Sequence, residues 1–207
     1  MHGLSEVERG GDYMTIMRRL GLLVLLIAAA AYAQDKVSAQ DSWDKCIADL
    51  SGYPPDTVVP QATYPSQLDG VSLQYVETGC FGACPVFQLV LRQESVQFKG
   101  LKYVRVKGNH KAALSKAEFE RFLRKWFAAR FYAMRDNYCS IKCPDGLERV
   151  VVDLRESSIT LKTPDLSKEV YQCFATLNGK PETPKPPDEY FQLTQDLQTL
   201  AREHGWL

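Results

Sequence analysis

Thr78-Gly79-Cys80-Phe81-Gly82-Ala83-Cys84-Pro85 runs straight into Val86-Phe87-Gln88-Leu89-Val90-Leu91. Two cysteines four apart, around a glycine and ahead of a proline, invite three readings: a reactive thiol pair, a metal clip, or a turn closed by a disulfide. The residues after the motif decide among folds. Val86 to Leu91 alternates like a half-buried strand. A thioredoxin-like fold would place a helix there, whose N-terminus lowers the thiol pKa. The stretch before it, Val71-Ser72-Leu73-Gln74-Tyr75-Val76, alternates in the same way. The motif is therefore expected to be a connection between two strands.

Further strands lie close by. Ser95-Val96-Gln97-Phe98, after the break Arg92-Gln93-Glu94, makes a hairpin with Val86–Leu91. Lys102-Tyr103-Val104-Arg105-Val106 reads as a fourth strand after Gly100. Leu147–Leu154 and Ser158–Lys162 read as another hairpin, which Glu169–Phe174 extends. Ser115-Lys116-Ala117-Glu118 is a capping box, with Leu114 and Phe119 placed as a hydrophobic staple. Phe119, Phe122, Leu123, Trp126, Phe127 and Phe131 then recur at helical spacing, the pattern of a core-facing helix. A last helix starts with Asp188 as its cap, carries Tyr190, Leu193, Leu197, Leu200 and Ala201, and ends at Gly205, with Trp206 and Leu207 packing back. Strands followed by a helix, twice, predict an α+β domain over 71–207, an antiparallel sheet of hairpins with two main helices on one face.

The N-terminus reads as an export signal. Arg18 and Arg19 precede an apolar run from Leu20 to Ala31, short of the roughly 20 residues that a membrane span needs. Ala31-Tyr32-Ala33 is a small-x-small cleavage site, so residues 1–33 are assigned as a signal peptide and the mature chain begins at Gln34. Residues 34–70 form a leader broken by Pro54, Pro55, Pro60 and Pro65. The formal net charge is zero. That removes the large basic field that binding to nucleic acid or to anionic lipid requires over the whole chain. Lys99, Lys102, Arg105, Lys107 and Lys111 form a local basic run, read as a solvated strand surface.

All six cysteines, Cys46, Cys80, Cys84, Cys139, Cys143 and Cys173, come after the signal. An even number in an oxidising compartment points to disulfides, with a connectivity the sequence leaves open. Residues four apart along a strand lie about 13 Å apart, whereas bridged Cα atoms need roughly 4.4–6.8 Å. Cys80 and Cys84 can pair only if the chain turns. Gly79 and Gly82 allow that turn, and Pro85 sets the exit. Cys139 and Cys143 have the same spacing before Pro144 and read as a second local bridge, with exchange between the pairs left open. The alternative use of the motif is thiol redox chemistry or copper(I) binding, the latter by Cys80, Cys84 and a distant histidine, His110 or His204. C-x-x-x-C-P resembles the motif of Sco-type copper chaperones. Three intervening residues disfavour the redox use, the following strand disfavours both, and His110 falls in Gly108-Asn109-His110-Lys111, read as a loop where a histidine is solvated. No G-x-S-x-G, P-loop or H-E-x-x-H is present, so no catalytic residue, cofactor or resident metal is assigned.

Thr78–Pro85, with Phe87 two positions on, resembles the hallmark T-G-C-F-G-x-C-P of a bacterial family of exported domains of unknown function. Phe131-Tyr132-Ala133-Met134-Arg135-Asp136-Asn137-Tyr138 is similar to the F-x-x-L/M-x-D-x-Y segment of the same family. The resemblance implies an exported α+β domain sharing the Cys80 and Cys84 pair, with Gly79, Phe81, Gly82 and Pro85 as a structural turn. It implies no activity. Cys46, Cys139, Cys143 and Cys173 fall outside the common pattern and read as additional staples. The expectation is a periplasmic or extracellular, monomeric or weakly associating domain without catalysis. Its partner would be an unidentified protein or envelope component, with no nucleic acid and no membrane span after signal cleavage.

Overall fold

The computed structural model describes residues 25, 29, 32, 40–54, 62–80, 82–143, 146, 148–150, 155–173, 176–177, 180–181 and 183–207. The chain divides into two units, 1–45 and 46–207. In the first unit the described residues are helical, and Gln40 donates to Asp44 Oδ1 at 2.7 Å. The signal region and its cleavage site lie almost wholly outside the described residues. Among the described residues no helix is long and apolar enough to cross a membrane.

The second unit is built on a six-stranded antiparallel sheet. Its strands are β1 (Ser72–Glu77), β2 (Val86–Arg92), β3 (Ser95–Lys102), β4 (Gly108–Ala113), β7 (Glu156–Lys162) and β8 (Ser167–Cys173), in the order β4-β3-β2-β1-β7-β8. Two short strands, β5 (Ser140–Lys142) and β6 (Glu148–Val150), pair separately, as do β9 (Thr176–Leu177) and β10 (Lys180–Pro181). Two long helices follow the strands, α1 (Lys116–Ala128) and α2 (Asp188–Glu203), besides the helical residues 40–50 and a 3-10 turn at Phe131–Ala133. The fold class is α+β, in agreement with the sequence expectation.

Strand alternation sets the two faces of the sheet. Leu73, Tyr75, Phe87, Leu89, Leu91, Val96, Phe98, Ile159 and Leu161 are buried in one core with Phe119, Phe122, Leu123 and Trp126 of α1 and Tyr190, Leu193, Leu197 and Leu200 of α2. Gln74, Val76, Gln88, Val90 and Gln97 occupy the opposite phase and are only half-buried or exposed. An antiparallel sheet needs only one covered face, because the other satisfies its backbone within the ladder and shows polar side chains to water. The capping box of α1 forms as its sequence requires. Glu118 N donates to Ser115 Oγ at 3.2 Å, and Ser115 N donates back to Glu118 Oε2 at 3.1 Å.

Four local expectations are corrected. The fourth strand is Gly108–Ala113; Lys102 ends β3, and Tyr103–Val106 folds back as a loop, where Arg105 N and Val106 N donate to Trp206 O at 3.1 and 3.4 Å, a partner from the far end of the chain. His110 therefore lies on an edge strand, not in a loop. The hairpin expected between Leu147–Leu154 and Ser158–Lys162 does not form: Glu148–Val150 pairs with β5, and Glu156–Lys162 inserts between β1 and β8, while Leu147 and 151–154 lie outside the described residues. Asp188 is the first residue of α2 and Pro187 its cap, so Asp188 and Glu189 act through the helix dipole. Finally, Cys139 and Cys143 do not bridge each other. They flank β5, where the backbone is extended, and that places them beyond disulfide reach.

Candidate functional site

Antiparallel pairing brings the end of β1, the start of β2, the end of β3, the start of β4 and the start of β7 to one rim of the sheet. The Thr78–Pro85 turn sits on this rim. Cys80 and Cys84 are bonded, with Cα atoms 5.6 Å apart, so the chain does turn between them. Thr78 fastens the turn from behind: its N–H and hydroxyl both donate to Glu156 O, at 3.0 and 3.2 Å. Gly82 has φ +125, and Pro85 leads into β2. Phe81 lies outside the described residues.

The other four cysteines pair over long distances. Cys46 joins Cys143 across 97 residues, and Cys139 joins Cys173 across 34. The first ties the helical residues 46–50 to the end of β5, and the second ties the end of β8 to the segment before β5. Asn137 prepares the second bridge, because its Oδ1 accepts from Cys139 N at 2.6 Å and Ser140 N at 3.2 Å. No cysteine is free. Cys46, Cys139, Cys143 and Cys173 are buried, whereas Cys80 and Cys84 are half-exposed.

Bonded sulfurs are not thiolate ligands. His110 Nε2 is 2.9 Å from Lys107 O, on the edge strand. Among the described residues no group of three His, Cys, Asp or Glu side chains could hold a metal ion. His204 stacks on Trp206 with ring centroids 4.6 Å apart.

Directly beneath the turn lies a polar cluster that motif reading did not single out. Glu77 occupies the core phase of β1 and is 1 % exposed. Its Oε1 accepts from the Arg155 guanidinium. Its Oε2 accepts from Tyr75 Oη at 2.5 Å and from Gln198 Nε2 at 2.9 Å. Gln198 also donates to Tyr75 Oη at 3.1 Å, and Arg202 holds the other end of that amide at 3.2 Å. Burial, then the adjoining Glu77 carboxylate, pushes the Tyr75 phenol far above its ordinary value, so it stays a neutral donor. Ser157 and Tyr190, also buried, bond to each other at 3.1 Å. Every lone-pair direction of Glu77 that matters is taken. The cluster is a closed structural anchor and not a free general base. The signal was present in the sequence: Leu73, Tyr75 and Glu77 share one strand phase, and a carboxylate in an apolar phase demands partners.

A concavity of about 580 Å³ lies away from the rim, between residues 62–66, Tyr132 and the β7–β8 turn. Lys168 stands on its wall but is engaged by Asp136 and by Met134 O at 2.7 Å. Met134 and Asp136 belong to the Phe131–Tyr138 segment; Phe131 is buried beside Trp126, with ring centroids 4.9 Å apart, and Tyr138 donates to Gly52 O. That segment therefore braces helix, sheet and N-terminal arm of the second unit.

No curated protein matches the chain. A family model described as a domain of unknown function (DUF6438) matches residues 71–199, more than half of the chain, from the first core strand through most of α2, and the chain belongs to that family.

Proposed function

We propose that this is an exported, disulfide-stapled binding domain without catalysis. It works in the periplasm or extracellular space, as a monomer or weak associator, against another envelope or extracellular component. The observation that carries the reading is that all six cysteines are bonded in three pairs. Bridges of this kind persist in oxidising compartments and are rare in reducing ones. The signal-like N-terminus supports the same reading. The deeply buried Glu77 carboxylate on the rim is saturated by its own neighbours, which supports a structural role for the Cys80–Cys84 turn. Gly79, Phe81, Gly82 and Pro85 then shape how β1 leaves and β2 enters the sheet. In this reading the T-G-C-F-G-x-C-P turn is the mark of a bacterial exported family.

The test is thiol trapping on protein taken directly from the exporting cell, followed by peptide mapping. All six cysteines are expected to be oxidised. An oxidoreductase activity that disappears in the Cys80→Ser/Cys84→Ser variant would overturn the reading.

A further inference from the structure

We propose that the basic rim formed by the β3–β4 connection docks on an anionic lipid surface, with Leu101 and Tyr103 entering the headgroup layer. This rests on the reading of the domain as a binding module and names its partner.

The two residues are 50 % and 61 % exposed, large apolar side chains on either side of Lys102, the first near the end of β3 and the second opening a loop held in place from behind. Gly100 lies beneath that loop: a Cβ there would stand 2.2 Å from Val106 O, so only glycine lets the chain fold back so closely. The N–H groups of Arg105 and Val106 are fixed to Trp206 O, and Trp206 stacks on Phe98 of β3 at 5.1 Å. The loop is thus anchored to the core, with Val104 and Val106 packed against it and Leu101 and Tyr103 left exposed. Tyr103 adopts φ 51, in the left-handed region that bulky residues avoid. A side chain that gains nothing from burial and holds an unfavoured backbone is a reason to look for an external contact.

The charge along this stretch of chain has one sign. Lys99, Lys102, Arg105, Lys107 and Lys111 are all exposed, and residues 99–113 contain no carboxylate. None of the five is in an ion pair with a described residue. The chain as a whole is neutral, so its acidic residues are elsewhere and the rim is a local positive field. Lys102 pairs with Val86 at the start of β2, which puts the stapled Cys80–Cys84 turn beside the same surface.

Basic side chains alone would suit any polyanion. The apolar pair decides for lipid. Tyrosine places its ring at the headgroup level with its hydroxyl in water, and lysines lay their apolar stems along the acyl boundary while the ammonium reaches phosphate. Exposed leucine adds nothing to a sugar polyanion or a nucleic acid backbone. The rim is short and lacks a spanning segment, so the contact is peripheral and salt-sensitive.

The experiment is vesicle co-sedimentation of the chain recovered after export, with phosphatidylglycerol/phosphatidylcholine vesicles against pure phosphatidylcholine. Whatever N-terminus the cell leaves is common to wild type and variants, so their difference reports the rim. Binding is expected on the anionic vesicles alone and is lost in high salt. Lys102→Ala or Lys107→Ala lowers it about fivefold each. Leu101→Ser/Tyr103→Ser lowers it further at unchanged melting temperature, and single Tyr103→Ser reads the same contact if the double variant folds poorly. Equal sedimentation with both vesicle types, or none with either, overturns the inference. So does retention on heparin that survives loss of Leu101 and Tyr103. A photo-crosslinker at position 103 that captures a protein in place of lipid overturns it too, yet leaves the binding-module reading standing. Cys80/Cys84-dependent oxidoreductase activity without vesicle binding removes both.

Discussion

Tyr75 and Glu77 are two residues apart on one strand, and the phenol of the first donates to Oε2 of the second at 2.5 Å. Strand geometry puts positions i and i+2 on the same face, here the face covered by α2. The pair is therefore sealed by Gln198 from above and neutralised by Arg155 from the rim. A carboxylate 1 % exposed is tolerable only with this complete set.

Arg155→Ala removes the counter-charge and leaves the buried carboxylate in place. The expected loss is about 3 kcal/mol, at the lower end for breaking a buried pair because the Arg155 side chain is 41 % exposed. Glu77→Gln keeps the volume and most hydrogen bonds and frees a guanidinium that water can reach, so about 1 kcal/mol is expected. Urea denaturation midpoints check both. Equal, small effects would mean that the pair is relaxed by solvent and the anchor role fails.

The three disulfides are predicted to differ in both energy and accessibility. In the chain-entropy model a five-residue loop such as that of Cys80–Cys84 contributes about 2 kcal/mol. The Cys46–Cys143 loop, spanning 97 residues, contributes nearly ~5 kcal/mol in the same model. Pairwise replacement by serine should rank the melting temperatures in that order. Mild reductant should open Cys80–Cys84 first, since only its sulfurs sit on half-exposed residues. Simultaneous release of all six thiols would contradict this.

Much of the fold is legible locally, and the misses share one cause. β1, β2 and β3 alternate because one face is buried, and the Ser115 box closes within four residues. β4 carries Gly108-Asn109-His110-Lys111-Ala112-Ala113, which has no apolar period because an edge strand contacts little core. Val104 and Val106 alternate like a strand, yet the backbone of Arg105 and Val106 is hydrogen-bonded to Trp206, which is about a hundred residues away in the chain. β7 enters the sheet beside β1 rather than forming a local hairpin, and two of the disulfides are long-range in the same way. The rim was hidden because its basic residues read as a strand surface; only the fold-back at Gly100 groups them around Leu101 and Tyr103.

Gly100→Ala tests that fold-back. The added methyl would meet Val106 O at 2.2 Å and Val104 Cγ2 at 2.8 Å, so backbone must move. A cost of about 1–3 kcal/mol is expected. Vesicle binding should fall with it, because Leu101 and Tyr103 lose their common placement. Unchanged stability would show that the loop can lift off β3 freely.

Tyr138 offers a pH-dependent readout of the Phe131–Tyr138 segment. Its phenol donates to Gly52 O at 2.5 Å and accepts from Arg135 N at 3.1 Å, joining the segment to the N-terminal arm of the second unit. Burial, the largest cause, pushes the phenol up from 10.0 to about 12. A raised value means that the folded state keeps a proton the unfolded chain gives up. The associated stability is complete below pH 10.0 and is lost as pH rises toward about 12. Tyr138→Phe should cost about 1–2 kcal/mol at neutral pH, from the two lost hydrogen bonds. It should also make the alkaline decline shallower, though not flat, because Tyr171 is likewise pushed up to about 12 by burial and by its bond to Glu156, and burial raises Tyr75, Tyr132 and Tyr190 as well. Urea midpoints of wild type and variant recorded from neutral pH to pH 12 isolate the Tyr138 contribution. A variant whose curve runs parallel to wild type through the alkaline range would show that Tyr138 titrates alike in both states, and the tie to Gly52 would then carry no stability.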